Sequence, residues 1–232
     1  MCAYLVLIPT LIGDEPATSL LPSLLLELNS LRHFIVENEK AARRFIKQVG
    51  VQTPQKELII KEYSKHSNEA LSAYMEPLLA GHNVGLMSDA GCPGVADPGA
   101  EIVREAHRQD IRVLPRVGAS SIILALMASG LNGQSFTFHG YIPINKQEKR
   151  QKLKKMESDS LRFNQTQIWI ETPFRNNAHV TDLFNMLSPT TQLCIAAGLT
   201  TNREYISTRQ VRDWRANLPN LDNIPAVFLL SA

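Results

Sequence analysis

Short runs of β-branched and apolar residues alternate with longer stretches of helical period along nearly the whole chain, a pattern that admits few architectures. It predicts an α/β fold with largely parallel sheets. Strands are expected at 4–8, 34–37, 57–61, 83–87, 111–114, 136–140, 167–171, 193–197 and 226–230. Helices are expected at 39–49, 68–80, 100–109 and 122–130. In 68–80, Leu71, Met75, Leu78 and Leu79 recur at three- and four-residue spacing with Glu69 and Glu76 off that stripe, so this helix should dock one face on a sheet. Nine strands are many for one doubly wound sheet. The plausible seam is Leu114-Pro115-Arg116-Val117-Gly118, a Pro/Gly-punctuated turn midway along the 232 residues, which divides the chain into domains 1–116 and 117–232.

Charge is distributed unevenly. The net formal charge is only +2, which excludes a protein that is basic overall. Residues 146–155 (KQEKRQKLKK) carry six Lys/Arg and one Glu, a local +5, while the remaining 18 bases and 21 acids give −3. That segment reads equally as a solvated helix whose lysine stems cover apolar surface and as a patch that contacts phosphates.

The most informative stretch follows the fourth expected strand: Ser88-Asp89-Ala90-Gly91-Cys92-Pro93-Gly94-Val95-Ala96-Asp97-Pro98-Gly99. Three glycines and two prolines make a stiff loop whose backbone amides can meet a ligand without Cβ obstruction. Ligands of open α/β sheets bind off the carboxyl ends of such strands. A purely structural role explains Asp97 as N-cap and Pro98 as first helical residue, but explains little of Gly91 to Val95. A second loop, Gly118-Ala119-Ser120-Ser121, precedes an apolar helix and offers small hydroxyl residues either as caps or as partners for a carboxylate. An amino-acid-like ligand bearing a nucleoside suits both loops.

Absences narrow the chemistry. There is no GxxxxGK[ST] phosphate loop, no GxGxxG after a strand, no GxSxG elbow and no HExxH. His33, His66, His82, His107, His139 and His179 are scattered and read as surface or satisfied core residues. Cys2, Cys92 and Cys194 are odd in number and lack CxxC spacing, which suggests neither disulfides nor zinc and fits a reducing cytoplasm. The apolar 5–11 segment has no basic flank and reads as a first strand, not a signal peptide or membrane span.

Taken in order, the 88–99 loop, Gly118 to Ser121, Ala125-Leu126-Met127-Ala128-Ser129-Gly130-Leu131 and Phe138-His139-Gly140-Tyr141-Ile142-Pro143 resemble the tetrapyrrole methylase superfamily. Ile8-Pro9-Thr10-Leu11-Ile12-Gly13 resembles its first-strand loop, and Glu171-Thr172-Pro173-Phe174-Arg175 its glutamate-containing segment after a late strand. Within it the ordered set is most similar to the ribosomal RNA small subunit methyltransferase I family, which methylates a ribose 2′-hydroxyl of 16S ribosomal RNA.

That resemblance implies two α/β lobes with S-adenosyl-L-methionine in the cleft between them and no metal. It implies cofactor contacts at Ile12, at Gly91, Cys92 and Val95, at Ser120 and Ser121, and at Ile170, Glu171, Gly198 and Ala226. At the position of Cys92 the superfamily often has Asp or Thr, so this side chain is expected to be dispensable. It also implies a homodimer and a ribosomal RNA partner, and the basic segment then offers Lys146, Lys149 and Arg150 to hold that RNA.

The chain departs from the family at charged positions. Asn38-Glu39-Lys40 stands for an Asp-Thr-Arg, Gly198-Leu199 for an Arg-Glu, Asn223-Ile224-Pro225 for a Lys/Arg-Gly-Glu, and His66-Ser67-Asn68-Glu69 for a His-rich turn. The family's C-terminal extension is expected to be absent. No residue is singled out as catalytic; Glu171 is a candidate base or orienter, and Lys40 and Arg175 are candidate electrostatic stabilisers. Two alternatives remain open: methylation of a small tetrapyrrole-like substrate, and a cofactor-binding protein without catalysis.

Overall fold

The computed structural model describes residues 3–14, 20–64, 70–214 and 218–232. Cys2, the His66 to Glu69 turn and the first two residues of the expected 68–80 helix lie outside that set. The chain divides into two compact units, Met1–Ser120 and Ser121–Ala232, against the expected boundary at 116/117.

The first unit holds a five-stranded sheet of β1 (Tyr4–Leu7), β2 (His33–Val36), β3 (Ile59–Glu62), β4 (Val84–Met87) and β5 (Arg112–Pro115), in the order β3-β2-β4-β1-β5. All four pairings are parallel. Four helices cover it: α1 (Pro22–Ser30), α2 (Glu39–Gln48), α3 (Ser72–Leu79) and α4 (Ala100–Arg108). Alternate strand residues feed two cores. Val6, Phe34 and Val36 pack with Leu24, Leu28, Phe45 and Ile46 of α1 and α2. Leu5, Ile35, Val84 and Leu86 pack with Tyr74, Met75, Ile102 and Ala106 of α3 and α4. Coverage on both faces is why β4 reads as an unbroken apolar run. In α3 the inward face is Tyr74, Met75 and Leu78, while Leu79, expected on it, is 67% exposed.

Asn38 caps α2, its side chain accepting from the Ala41 amide at 2.9 Å. Asp97 and Pro98 do not start α4. Gly99 takes that place with φ +128°, a turn of the backbone that keeps 97 and 98 out of the helix.

The second unit holds β6 (Phe136–Tyr141), β7 (Thr166–Glu171), β8 (Gln192–Ala197), β9 (Tyr205–Gln210) and β10 (Ala226–Ser231), in the order β6-β7-β10-β8-β9. Here the largely parallel expectation fails. Only β6 and β7 pair in parallel, whereas β10 is antiparallel to both β7 and β8, and β9 to β8. Helices α6 (Lys146–Phe163), α7 (Asn176–Met186) and α8 (Val211–Trp214) close one core around Trp169, Phe228, Leu183 and Trp214. Helix α5 (Ser121–Ser129) packs on β8, β9 and β10. The basic segment forms the start of α6, whose N-cap Asn145 accepts from the Gln147 and Glu148 amides at 2.9 and 3.3 Å.

Candidate cofactor and substrate site

In the first unit β1 lies between β4 and β5, so the loops after β1 and β4 leave the same carboxyl edge side by side. The Thr10 amide donates to the Gly91 carbonyl at 2.9 Å, and its hydroxyl donates to the Ser88 carbonyl at 3.3 Å. Gly91 has φ +77°, and a Cβ there would stand 3.2 Å from Ile12 Cγ2 and 3.5 Å from the Ala119 carbonyl oxygen. Gly118 is held against Pro9, whose ring occupies the space a Cβ would need. Four expected contacts, Ile12, Gly91, Cys92 and the segment reaching Ser120, are thus brought together around a backbone cradle. Val95 stands on the following turn, 48% exposed, and Ser121 opens α5.

The Cys92 side chain is not idle. Its thiol donates to the Ala119 carbonyl at 3.3 Å, tying the Gly/Pro loop to the segment after β5, and burial pushes its pKa up. An acidic trio on the same edge went unread in the sequence. The Asp89 amide donates to Glu37 at 3.2 Å and the Glu39 amide to Glu62 at 2.6 Å. Burial, then Glu37 and Glu62, push the Asp89 carboxyl above its usual range. Lys40 stands exposed on α2.

In the second unit Ile170, Glu171, Gly198 and Ala226 meet at one sheet edge. Ala226 lies opposite Glu171 on one side and Ala197 on the other, and the Gly198 amide donates to the Pro225 carbonyl at 2.9 Å. Gly198 has φ +57°, and a Cβ there would meet the Arg203 carbonyl oxygen at 2.9 Å.

Glu171 is buried. Its Oε1 accepts from the Thr172 amide at 2.7 Å and hydroxyl at 3.1 Å, and from Arg175 Nε at 3.0 Å and Nη2 at 2.8 Å. Burial opposes ionisation, but the Thr172 amide, Arg175 and the Thr172 hydroxyl outweigh it and hold the carboxyl below its usual range. A carboxylate so stabilised is a weak proton acceptor and a strong orienter.

Beside it sits His179, which the sequence treated as an ordinary core residue. Trp169 Nε1 donates to His179 Nε2 at 2.9 Å, which places the ring proton on Nδ1, 4.0 Å from Glu171 Oε2. Nothing in the sequence spacing joins these three residues, because the contact is made across β7 and α7.

The basic segment needs one correction. Along α6, Lys149, Leu153, Met156 and Ser160 form the inward stripe. Lys149 is 6% exposed and its ammonium pairs with Asp182 of α7 at 2.8 Å. It joins two helices and is not available to phosphate. Lys146 and Arg150 are exposed as expected positions for such contacts, and Lys154 extends the same outward row at four-residue spacing.

Ribosomal RNA small subunit methyltransferase I of Synechocystis sp. is 30% identical over 182 residues, 78% of this chain and 60% of that protein. The protein of the same name from Haemophilus influenzae is 30% identical over 190 residues, 72% of this chain and 66% of its own. That from Pseudomonas aeruginosa is 27% identical over 213 residues, 90% and 73%. The chain belongs with the ribosomal RNA small subunit methyltransferase I proteins.

It spans about three fifths of the Synechocystis relative's length. Among solved structures, diphthine synthase matches 99% of this chain and 90% of its own with a TM-score of 0.66 at 14% identity. The methyltransferase CobJ matches 99% and 94% with a TM-score of 0.62 at 18% identity. Uroporphyrin-III-C-methyltransferase from Thermus thermophilus matches 100% and 93% with a TM-score of 0.56 at 17% identity. These likenesses establish the tetrapyrrole methylase fold. No family model matches the chain. Among the described residues no helix is long and apolar enough to cross a membrane, and no group of three or more His, Cys, Asp or Glu is placed to hold a metal ion.

Proposed function

We propose that the chain is an S-adenosyl-L-methionine-dependent methyltransferase that modifies a ribose 2′-hydroxyl of small-subunit ribosomal RNA. The observation that carries this reading is the cradle of Ile12, Gly91, Cys92 and Ala119 at the ends of β1 and β4, in a chain 30% identical to a ribosomal RNA small subunit methyltransferase I. When bound, the cofactor would supply an electrophilic methyl group. The residues' part is positioning, on which an in-line displacement largely rests. Backbone around Gly91 and Ser120 would receive the amino-acid end. In the second unit the small residues Gly198 and Ala226 leave room beside Ile170, and Glu171 would orient polar groups there without abstracting a proton. The exposed cations Lys146, Arg150 and Lys154 form one outward row on α6 that suits the repeated phosphates of an RNA strand.

The test is transfer of labelled methyl from S-adenosyl-L-methionine to total small-subunit RNA from a strain lacking the protein. One labelled nucleotide, resistant to alkali at its 3′ side, is expected. A wild-type chain that binds the cofactor calorimetrically but labels no RNA overturns the substrate assignment. Gly91→Ala should raise the cofactor Kd by about tenfold, since a left-handed backbone costs an L-residue about 1–2 kcal/mol, with the same nucleotide labelled. We further infer that the enzyme works in the cytoplasm as a homodimer; sedimentation as a monomer at micromolar concentration would refute the second part.

A further inference from the structure

In the second unit β6 and β7 run parallel, so the segments that follow both strands emerge at the same sheet edge, one strand spacing apart. Tyr141, the last residue of β6, lies in register with Ile170 of β7 and is 59% exposed. Phe174 follows β7 on the short 3-10 turn Pro173–Arg175 and is 69% exposed. Two large exposed aromatics at one edge of a sheet are uneconomic in a merely structural role, because each leaves most of a hydrophobic ring in water.

Their surroundings are cationic. The Arg175 guanidinium lies over the Phe174 ring, 5.2 Å from its centroid. That guanidinium is fixed in turn, because Nε and Nη2 both donate to the buried Glu171 Oε1. The ring is therefore backed by an immobilised cation, and its exposure leaves the opposite side open. Helix α6 starts five residues beyond Tyr141, and its first turns carry the exposed Lys146 and Arg150.

We propose that Phe174 and Tyr141 are stacking platforms for unpaired nucleobases of the RNA substrate, with Arg175 backing Phe174 and Lys146 and Arg150 taking the phosphates on either side. Aromatic faces interleaved with cations are what a single strand requires: every base has a π-face, and every linkage a charge. A duplex keeps its bases stacked and offers such rings nothing. The recognised substrate is thus a loop, bulge or melted segment that displays unstacked bases next to the ribose to be modified. The inference rests on the RNA-methyltransferase reading and specifies how that substrate is gripped.

The test measures binding of the full chain, with S-adenosyl-L-methionine present, to a fluorescent unstructured 12-mer RNA and to its duplex by anisotropy. Phe174→Ala should weaken single-strand binding by about tenfold or more and leave duplex binding and the calorimetric cofactor Kd unchanged. Phe174→Trp should restore it. The slope of log K against log salt should be unaltered in Phe174→Ala and shallower by about 0.7 in Lys146→Ala. Single-strand affinity equal to wild type in Phe174→Ala, with the thermal midpoint unchanged, overturns the platform and leaves the enzyme class standing. A wild-type chain that binds the cofactor and neither RNA form overturns the RNA substrate together with the platform.

Discussion

Lowering the pH from 7 to 4 should remove about 3 kcal/mol of stability through His179 alone. The ring is 1% exposed, and burial, reinforced by the Lys149 ammonium, brings its pKa down to about 4; Glu171 and Asp182 pull the other way and Arg175 adds to the lowering. In the unfolded chain the group returns to about 6.5. Between the two values the unfolded state binds the additional proton, so stability is complete above about pH 6.5 and falls until about pH 4. Acceptance of the Trp169 N–H by Nε2 acts in the same direction as burial: protonation there would set two donors face to face. Urea titrations at half-unit intervals should show wild type and His179→Gln converging as the pH falls through this window, because glutamine keeps an acceptor for Trp169 and does not titrate. Parallel stability curves for the two proteins would remove His179 from the acid response.

Lys149→Ala should cost about 3 kcal/mol, near the lower end for breaking a buried pair, and lower the thermal midpoint by about 6–12 °C. The ammonium is nearly sealed, with 7% of its side chain exposed, while Asp182 keeps 19%. Removal leaves Asp182 charged beneath α6 with no partner at its former distance, and loses the packing of the lysine stem. Lys149→Met should recover the stem contribution only. Neither change should alter the salt slope of RNA binding, whereas Arg150→Ala, on the outward row, should. A Lys149→Ala chain as stable as wild type but weaker on RNA would return this residue to the substrate surface.

These two residues show where the sequence stops being legible. A lysine in a run of lysines carries no mark of which way it faces; only the 149, 153, 156, 160 stripe decides that, and it becomes visible once the helix is known to reach Phe163. His179 is uninformative until Trp169 and Glu171 are brought beside it. The first unit was readable because its strands are short, apolar and separated by helices, so that local pattern and parallel pairing agree. In the second unit β9 (YISTRQ) is half-buried throughout and its last four residues are all polar, so no apolar alternation marks it as a strand. Direction of pairing is decided by long-range partners, so the antiparallel insertion of β10 had no local signature. In the candidate site, the glycine positions and their convergence were legible because φ above zero and close approach demand glycine. The Cys92 tether and the Glu37, Glu62 and Asp89 trio were not, since each depends on which strand ends adjoin.

The position of β10 between β7 and β8 also bears on how the protein is made. The first sheet has all its strands once Pro115 has been synthesised, so that unit can close while the ribosome is still translating the second. The second sheet lacks its central strand until Ala226 to Ser231 emerge. Until then β7 and β8 each present an unsatisfied row of backbone amides and carbonyls along the side that β10 will fill. A nascent chain whose first unit is finished therefore exposes both edges for about 30 codons, from Ala197 to Ala226.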